Sequence, residues 1–142
     1  MIQPKINRTF SSEYLADFIL NNDKDDTFKS AQYNRGQFVD ALRRLNYLEQ
    51  IIVFSKDGVL CGVFGWFFIT EETKEQVSKQ IWRLPDNLTD GDILYLAFIL
   101  TTEPCDLIAT KKLLEDGGIR SRIKKIRGFS KSHWYEHNVY DR

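Results

Sequence analysis

The chain has 142 residues, 42% of them apolar and 13% aromatic. That is the size of one ordinary domain with enough apolar side chain for a packed core, which excludes general disorder. Twenty lysines and arginines balance twenty aspartates and glutamates, and a net charge of zero argues against a surface that binds nucleic acid throughout.

Ser11 and Ser12 supply the cap of a helix that begins near Glu13, with Tyr14, Leu15, Phe18 and Ile19 on one face at helical spacing. The polar, acidic stretch 21–26 breaks it. A second helix is expected over about 37–47. Phe38, Val39, Leu42 and Leu45 form its buried stripe, with Arg43 and Arg44 facing out. Residues 50–54 (QIIVF) are rich in β-branched side chains and read as a strand. Asp57-Gly58 gives a tight hairpin turn, and 59–69 (VLCGVFGWFFI) return as the partner strand. Gly62 and Gly65 within that strand suggest a bulge or a close backbone neighbour. Trp66, Phe67 and Phe68 read as core.

Thr70-Glu71-Glu72 start a short helix carried on by Val77 and Ile81, and 85–92 form a turn-rich connection. Residues 93–100 (ILYLAFIL) are almost wholly apolar. A strand without polar alternation is buried on both faces and belongs in the middle of a sheet. Pro104 suits the first turn of a helix whose apolar face is Leu107, Ile108, Leu113 and Leu114, and which Gly117-Gly118 end. Residues 123–129 make a final strand, followed by a tail bearing His133, Trp134, Tyr135, His137 and Tyr140. The order predicts an α/β (α+β) fold over a single domain, 1–142: a mixed central sheet with helices on both faces.

The charge is uneven. Residues 118–142 hold seven Lys/Arg against two Asp/Glu, a local +5, so the first 117 carry −5. Such an edge is either one basic side of a folded domain or an anion site. Cys61 and Cys105 form no CxxC pair, so free thiols in a reduced compartment are expected. No apolar run reaches the ~20 residues that span a bilayer, and residues 1–5 lack the apolar core of a signal peptide. Cytoplasm is expected, a host's if the gene is viral.

From about residue 50 to 140 this order resembles the GNAT superfamily of N-acyltransferases. The nearer likeness is to toxin-activating lysine acyltransferases. Asp57-Gly58 through Trp66 is similar to their turn and strand, Thr70-Glu71-Glu72 to their hydroxyl and acids, and Gly91-Asp92, Leu94-Tyr95-Leu96 and Pro104 to their Gly-Asp, apolar strand and proline. Small GNAT-like phage proteins look similar at Leu84-Pro85-Asp86-Asn87 and Thr89-Asp90-Gly91. Acyl transfer to an amine needs a polarised thioester carbonyl, a neutral amine and an acid for the departing thiolate. The resemblance implies that main-chain N–H groups at a splay in the central strand, at Ile99, Leu100 and Thr101, polarise the carbonyl. It implies Tyr135 as the acid, from the string 134–140 (WYEHNVY), and a thioester donor carried by acyl-CoA or acyl carrier protein; the other reading of Tyr135 is a tyrosine that packs its ring and hydrogen-bonds a loop.

Where GNAT enzymes place a glycine-rich loop that grips pyrophosphate, this chain has Thr101-Thr102-Glu103-Pro104-Cys105-Asp106. It holds no glycine, it holds a proline without an N–H, and its two acids repel phosphate. The toxin-activating group also lacks that loop and draws its acyl chain from acyl carrier protein. Arg120, Arg122, Lys124, Lys125 and Arg127 offer an edge for such an acidic partner or for a phosphopantetheine phosphate. That group's histidine has no counterpart, since no histidine precedes His133, and Phe98 stands where its aspartate belongs. Glu103 is the carboxylate left to act as base, or it is a solvated acid at a helix start. Cys105 lies in the cofactor stretch as either a thiol activated at a helix N-terminus or a small buried one. His133 and His137 match the i, i+4 spacing of a helical metal pair, but no cysteine accompanies them and no metal is expected. Trp82 is a candidate partner anchor. The expected function is therefore a GNAT-like N-acyltransferase acting on an amine. The alternative is a GNAT-like scaffold, phage or bacterial, without chemistry, that binds a macromolecule through its basic C-terminal edge; no helix-turn-helix pattern or membrane segment supports DNA or lipid.

Overall fold

The computed structural model describes residues 1–23, 34–74, 84–116, 125–130 and 133–138, the last two segments as backbone. The continuation of the 70–74 turn through Val77 and Ile81, Trp82, the Gly117-Gly118 stop and the basic residues 120–124 lie outside the described residues.

Six strands form one sheet in chain order: β1 (Pro4–Ile6), β2 (Ile51–Lys56), β3 (Val59–Ile69), β4 (Ile93–Thr101), β5 (Lys125–Ser130) and β6 (His133–Asn138). All neighbours are antiparallel except β4 and β5, which the α3 (Leu107–Asp116) crossover makes parallel. The α/β reading with a mixed sheet is therefore what the chain adopts. Asp57 and Gly58 take φ of 53° and 80° between paired Lys56 and Val59, the two positive values that a two-residue hairpin turn demands.

α1 (Ser12–Asn21) and α2 (Arg35–Tyr47) cover one face. Ser11 caps α1 through the Tyr14 N–H. Asn34 and Gln37 form a reciprocal capping box, which starts α2 two residues before the expected Gln37. Leu15, Ile19, Phe38, Leu42 and Leu45 meet Ile51, Val63, Phe67 and Phe98 in a buried apolar core. Tyr14 is not part of it: half-exposed, it stacks on Phe10 with ring centroids 5.4 Å apart. Arg43 faces out as expected, whereas Arg44 turns to the chain, donating to the carbonyls of Leu84, Pro85 and Asp86. On the opposite face Leu113 and Leu114 of α3 pack on Ile52, Phe54, Cys61, Trp66, Phe68 and Leu94.

β1 and β6 were not legible as strands. Because residues 133–138 are extended, His133 and His137 sit about 13 Å apart along β6, and the helical spacing that would bring them to one ion does not apply. No helix among the described residues is long and apolar enough to cross a membrane.

Candidate active site

The parallel ladder between β4 and β5 runs from Ile93↔Lys125 to Leu96↔Gly128 and then stops, although both strands continue, to Thr101 and Ser130. β4 stays with β3 to Thr101, and β5 stays with β6 to Ser130. The two middle strands are thus unpaired with each other beyond Leu96, which leaves a gap in the ladder beside residues 97–101.

What lines that gap follows from a bulge. Leu96 pairs with Trp66 and Phe98 with Gly65, which makes Ala97 an extra residue. Ala97 and Phe98 consequently both turn to the α1–α2 core, and the alternation of β4 shifts by one from there on. Thr102 N–H donates to the Cys61 carbonyl at 2.8 Å. Counting back in twos, Leu100 and Phe98 also direct their N–H groups to β3. Ile99 and Thr101 direct theirs away from it, into the gap. No described backbone carbonyl meets them there. Of the three amides nominated from the sequence, Ile99 and Thr101 are available and Leu100 is spent in the ladder.

The stretch after β4 departs from expectation. Pro104 is outside the helix, and α3 begins only at Leu107. The delay arises because the chain first turns back towards the β2–β3 hairpin: Thr102 N–H and Oγ1 both bond the Cys61 carbonyl. Glu103 reaches Lys56 at 3.8 Å, and Cys105 bridges to Ile2. The Glu103 carboxylate therefore lies towards the hairpin, on the β3 side of β4, and is not brought to the gap. Asp106 donates its N–H to the Ile2 carbonyl (2.9 Å), accepts Gln3 Nε2 at Oδ2, and caps α3 through Oδ1 to the Ala109 N–H (2.9 Å). An amide that could hold a phosphate is thereby used, and a carboxylate occupies the cap. Cys105 is not an activated thiol: burial, then the neighbouring Cys61, push it up to about 11. No residue preference in the sequence announced the part played by Ile2 and Gln3.

Tyr135 pairs with Gly128, which pairs with Leu96. Its backbone is therefore two strand spacings, about 10 Å, from the last rung before the gap, and it lies inside a strand. A cleft of about 650 Å³ lies at the other end of β4, between the end of α2 and residues 86–89. Phe68, the neighbour of Leu94, marks that end by bonding the Leu88 carbonyl. Arg43 and Arg44 in its wall are already held by Glu13, Asp40 and main-chain carbonyls, and it shares no lining residue with the gap. Among the described residues, the parted strands leave the Ile99 and Thr101 amides outside the β3–β4 ladder with no backbone partner.

A solved protein of Staphylococcus aureus Mu50 described as a putative acetyltransferase has a similar fold. It superposes over 96% of this chain and 99% of its own with a TM-score of 0.55 at 11% identity. The chain has the GNAT fold. The loading GNATL domain of CurA from Lyngbya majuscula superposes over 85% of this chain and 62% of that one, with a TM-score of 0.51 at 14% identity. Neither a protein-family model nor a curated protein sequence matches the chain. At such identities the GNAT likeness is one of fold, and activity has to be argued from the gap itself.

Proposed function

We propose that the protein is an N-acyltransferase that moves an acyl group from a thioester to an amine. The observation that supports this reading is the gap beyond Leu96 with the Ile99 and Thr101 N–H groups turned into it. Two fixed N–H dipoles in a cleft between strands are what a thioester carbonyl needs as negative charge builds on its oxygen. Tyr135 is the proposed acid for the departing thiolate, and Glu103, held near Lys56, is left for substitution to test as a base.

The two ends of the implied donor fit differently. The thioester is proposed to lie in the gap, with its carbonyl at the Ile99 and Thr101 amides. A pyrophosphate does not suit the start of α3, where the Asp106 amide is bonded to Ile2 and its carboxylate is the cap. When bound, the donor supplies the acyl group; the chain's own residues hold the carbonyl and protonate the sulfur. The reading accordingly favours a donor held by its arm and by a carrier protein over one gripped by its diphosphate. In its finer form this is the lysine-acylating arrangement, set in a bacterial or phage-infected cytoplasm. Arg120, Arg122, Lys124, Lys125 and Arg127 would meet the acidic carrier.

The occupied α3 start also favours a second reading, a scaffold that has kept the fold, lost the chemistry, and binds a macromolecule through that same basic edge. Thermal shift with acetyl-CoA, longer acyl-CoAs and acyl carrier protein separates the two. A rise with any thioester supports the transferase, and no rise with any of them overturns it.

A further inference from the structure

We infer that Cys61 and Cys105 are a disulfide-forming pair, which closes under a small disulfide oxidant and staples β3 to the connection between β4 and α3. The inference does not rest on the transferase reading. Both cysteines are free, and both are packed in the cluster under α3 with Phe54, Trp66 and Leu94. Cys61 sits on β3 beside the Gly62↔Thr101 pair, and its carbonyl takes both the N–H and the hydroxyl of Thr102. That double bond fixes the start of the connection against β3. Three residues on, the chain has folded back so that Cys105 packs in the same buried cluster as Cys61, and each thiol perturbs the ionisation of the other. The thiols themselves make only weak hydrogen bonds, Cys61 to the Phe54 carbonyl at 3.3 Å and Cys105 to the Glu103 carbonyl at 3.2 Å. Two cysteines packed in one small cluster, on backbones already pinned by other bonds, need only side-chain rotation and a small backbone shift to join.

The chemistry balances with a low-molecular-weight disulfide such as oxidised glutathione. Cys105, at 9% exposure the less buried of the two against 2% for Cys61, loses its proton and attacks one sulfur of the small disulfide. The S–S bond of that molecule breaks and one thiolate leaves, taking a proton. The Cys61 sulfur then attacks Cys105 in the mixed disulfide, a Cys61–Cys105 bond forms, and the second small thiolate departs with the other proton. The protein loses two electrons and two protons, and the oxidant becomes two thiols. Because burial holds both thiols protonated at neutral pH, the step is slow there and accelerates as pH rises.

The test uses the wild-type protein, folded by circular dichroism, incubated with oxidised glutathione at pH 8.5. Intact mass and peptide mapping without reductant should show the loss of two hydrogens and a linked pair of fragments around residues 61 and 105. The linked form should melt about 5–10 °C higher and revert with dithiothreitol. Cys61→Ser and Cys105→Ser should each carry one glutathione or none. Persistent free thiols, adducts on both cysteines without linkage, linkage between molecules, or linkage only in denaturant would each overturn the inference.

Discussion

The ring of Phe38, on α2, lies 5.4 Å from that of Phe98, on β4, and Gly65 of β3 leaves the room that Phe98 fills. A Cβ on Gly65 would stand 3.0 Å from the Phe98 ring. The bulge that turns Phe98 inward is thus held by packing from α2 and by the missing side chain at Gly65. Phe98→Ala should cost about 3–5 kcal/mol and Gly65→Ala about 1–3 kcal/mol in urea unfolding. If either variant retains full stability, the bulge is held by something else.

Proline reads out the direction of each amide in β4. Ile99 and Thr101 use no N–H in the β3 ladder, so Ile99→Pro and Thr101→Pro should fold with losses below about 2 kcal/mol. Leu100→Pro deletes a ladder bond and should lose about 3 kcal/mol or more. On the transferase reading Ile99→Pro also lowers kcat at least about tenfold. Equal stability losses at positions 99 and 100 would invert the alternation.

Tyr135→Phe should reduce acyl transfer by more than about tenfold while leaving the melting temperature nearly unchanged. Equal rates would remove Tyr135 from the reaction. Glu103→Gln breaks an ion pair whose partners are 61% and 45% exposed. It should change stability by less than about 0.5 kcal/mol, and its effect on turnover decides whether the carboxylate serves as base from beside Lys56.

Burial raises the Cys105 thiol to about 11, from 9.0 when free. A group whose ionisation is delayed by folding contributes stability below its unfolded value and loses it as pH climbs to the folded one. Unfolding free energy should therefore decline between pH 9 and about 11, and decline less in Cys105→Ser. Parallel curves for the two proteins over that range would contradict the assignment. Alkylation of native Cys105 should likewise be slow at pH 7.

Gly91 approaches Ile69 so closely that a Cβ would stand 2.2 Å from its carbonyl oxygen. A main-chain carbonyl at the end of a core strand cannot step aside, so Gly91→Ala should destabilise by about 2 kcal/mol or more. Chemical denaturation measures it, and a neutral effect would mean that the 84–92 connection is free to shift.

The sequence was legible where local signals agree with the final packing. Asp57-Gly58 between β-branched runs made the first hairpin plain, and the unbroken apolar run at 93–100 marked the strand flanked on both sides. The parted ladder was expected from likeness to a superfamily. Nothing in the composition of β4 says which amide points where, because one extra residue at Ala97 reverses the alternation. The late start of α3 was hidden for a different reason: it depends on Ile2 and Gln3, about a hundred residues earlier. Tyr14 matched the helical stripe by spacing but found Phe10 before it found the core. Residues 133–138 concealed a strand because aromatic and polar side chains follow one another without a regular alternation.

The bridge from Ile2 to Cys105 sets an order of events during synthesis. Residues 2–3 leave the ribosome early, but their partners at 105–106 follow only after a hundred further residues, about 5–20 s at ordinary elongation rates. Throughout that interval β2 is the strand that the leading segment can pair with among the described residues, and that from residue 51 onward. Completion of the sheet's first edge is thus coupled to completion of its middle, so the nascent N-terminal half is a species of its own, with an open flank that a neighbouring nascent chain can reach.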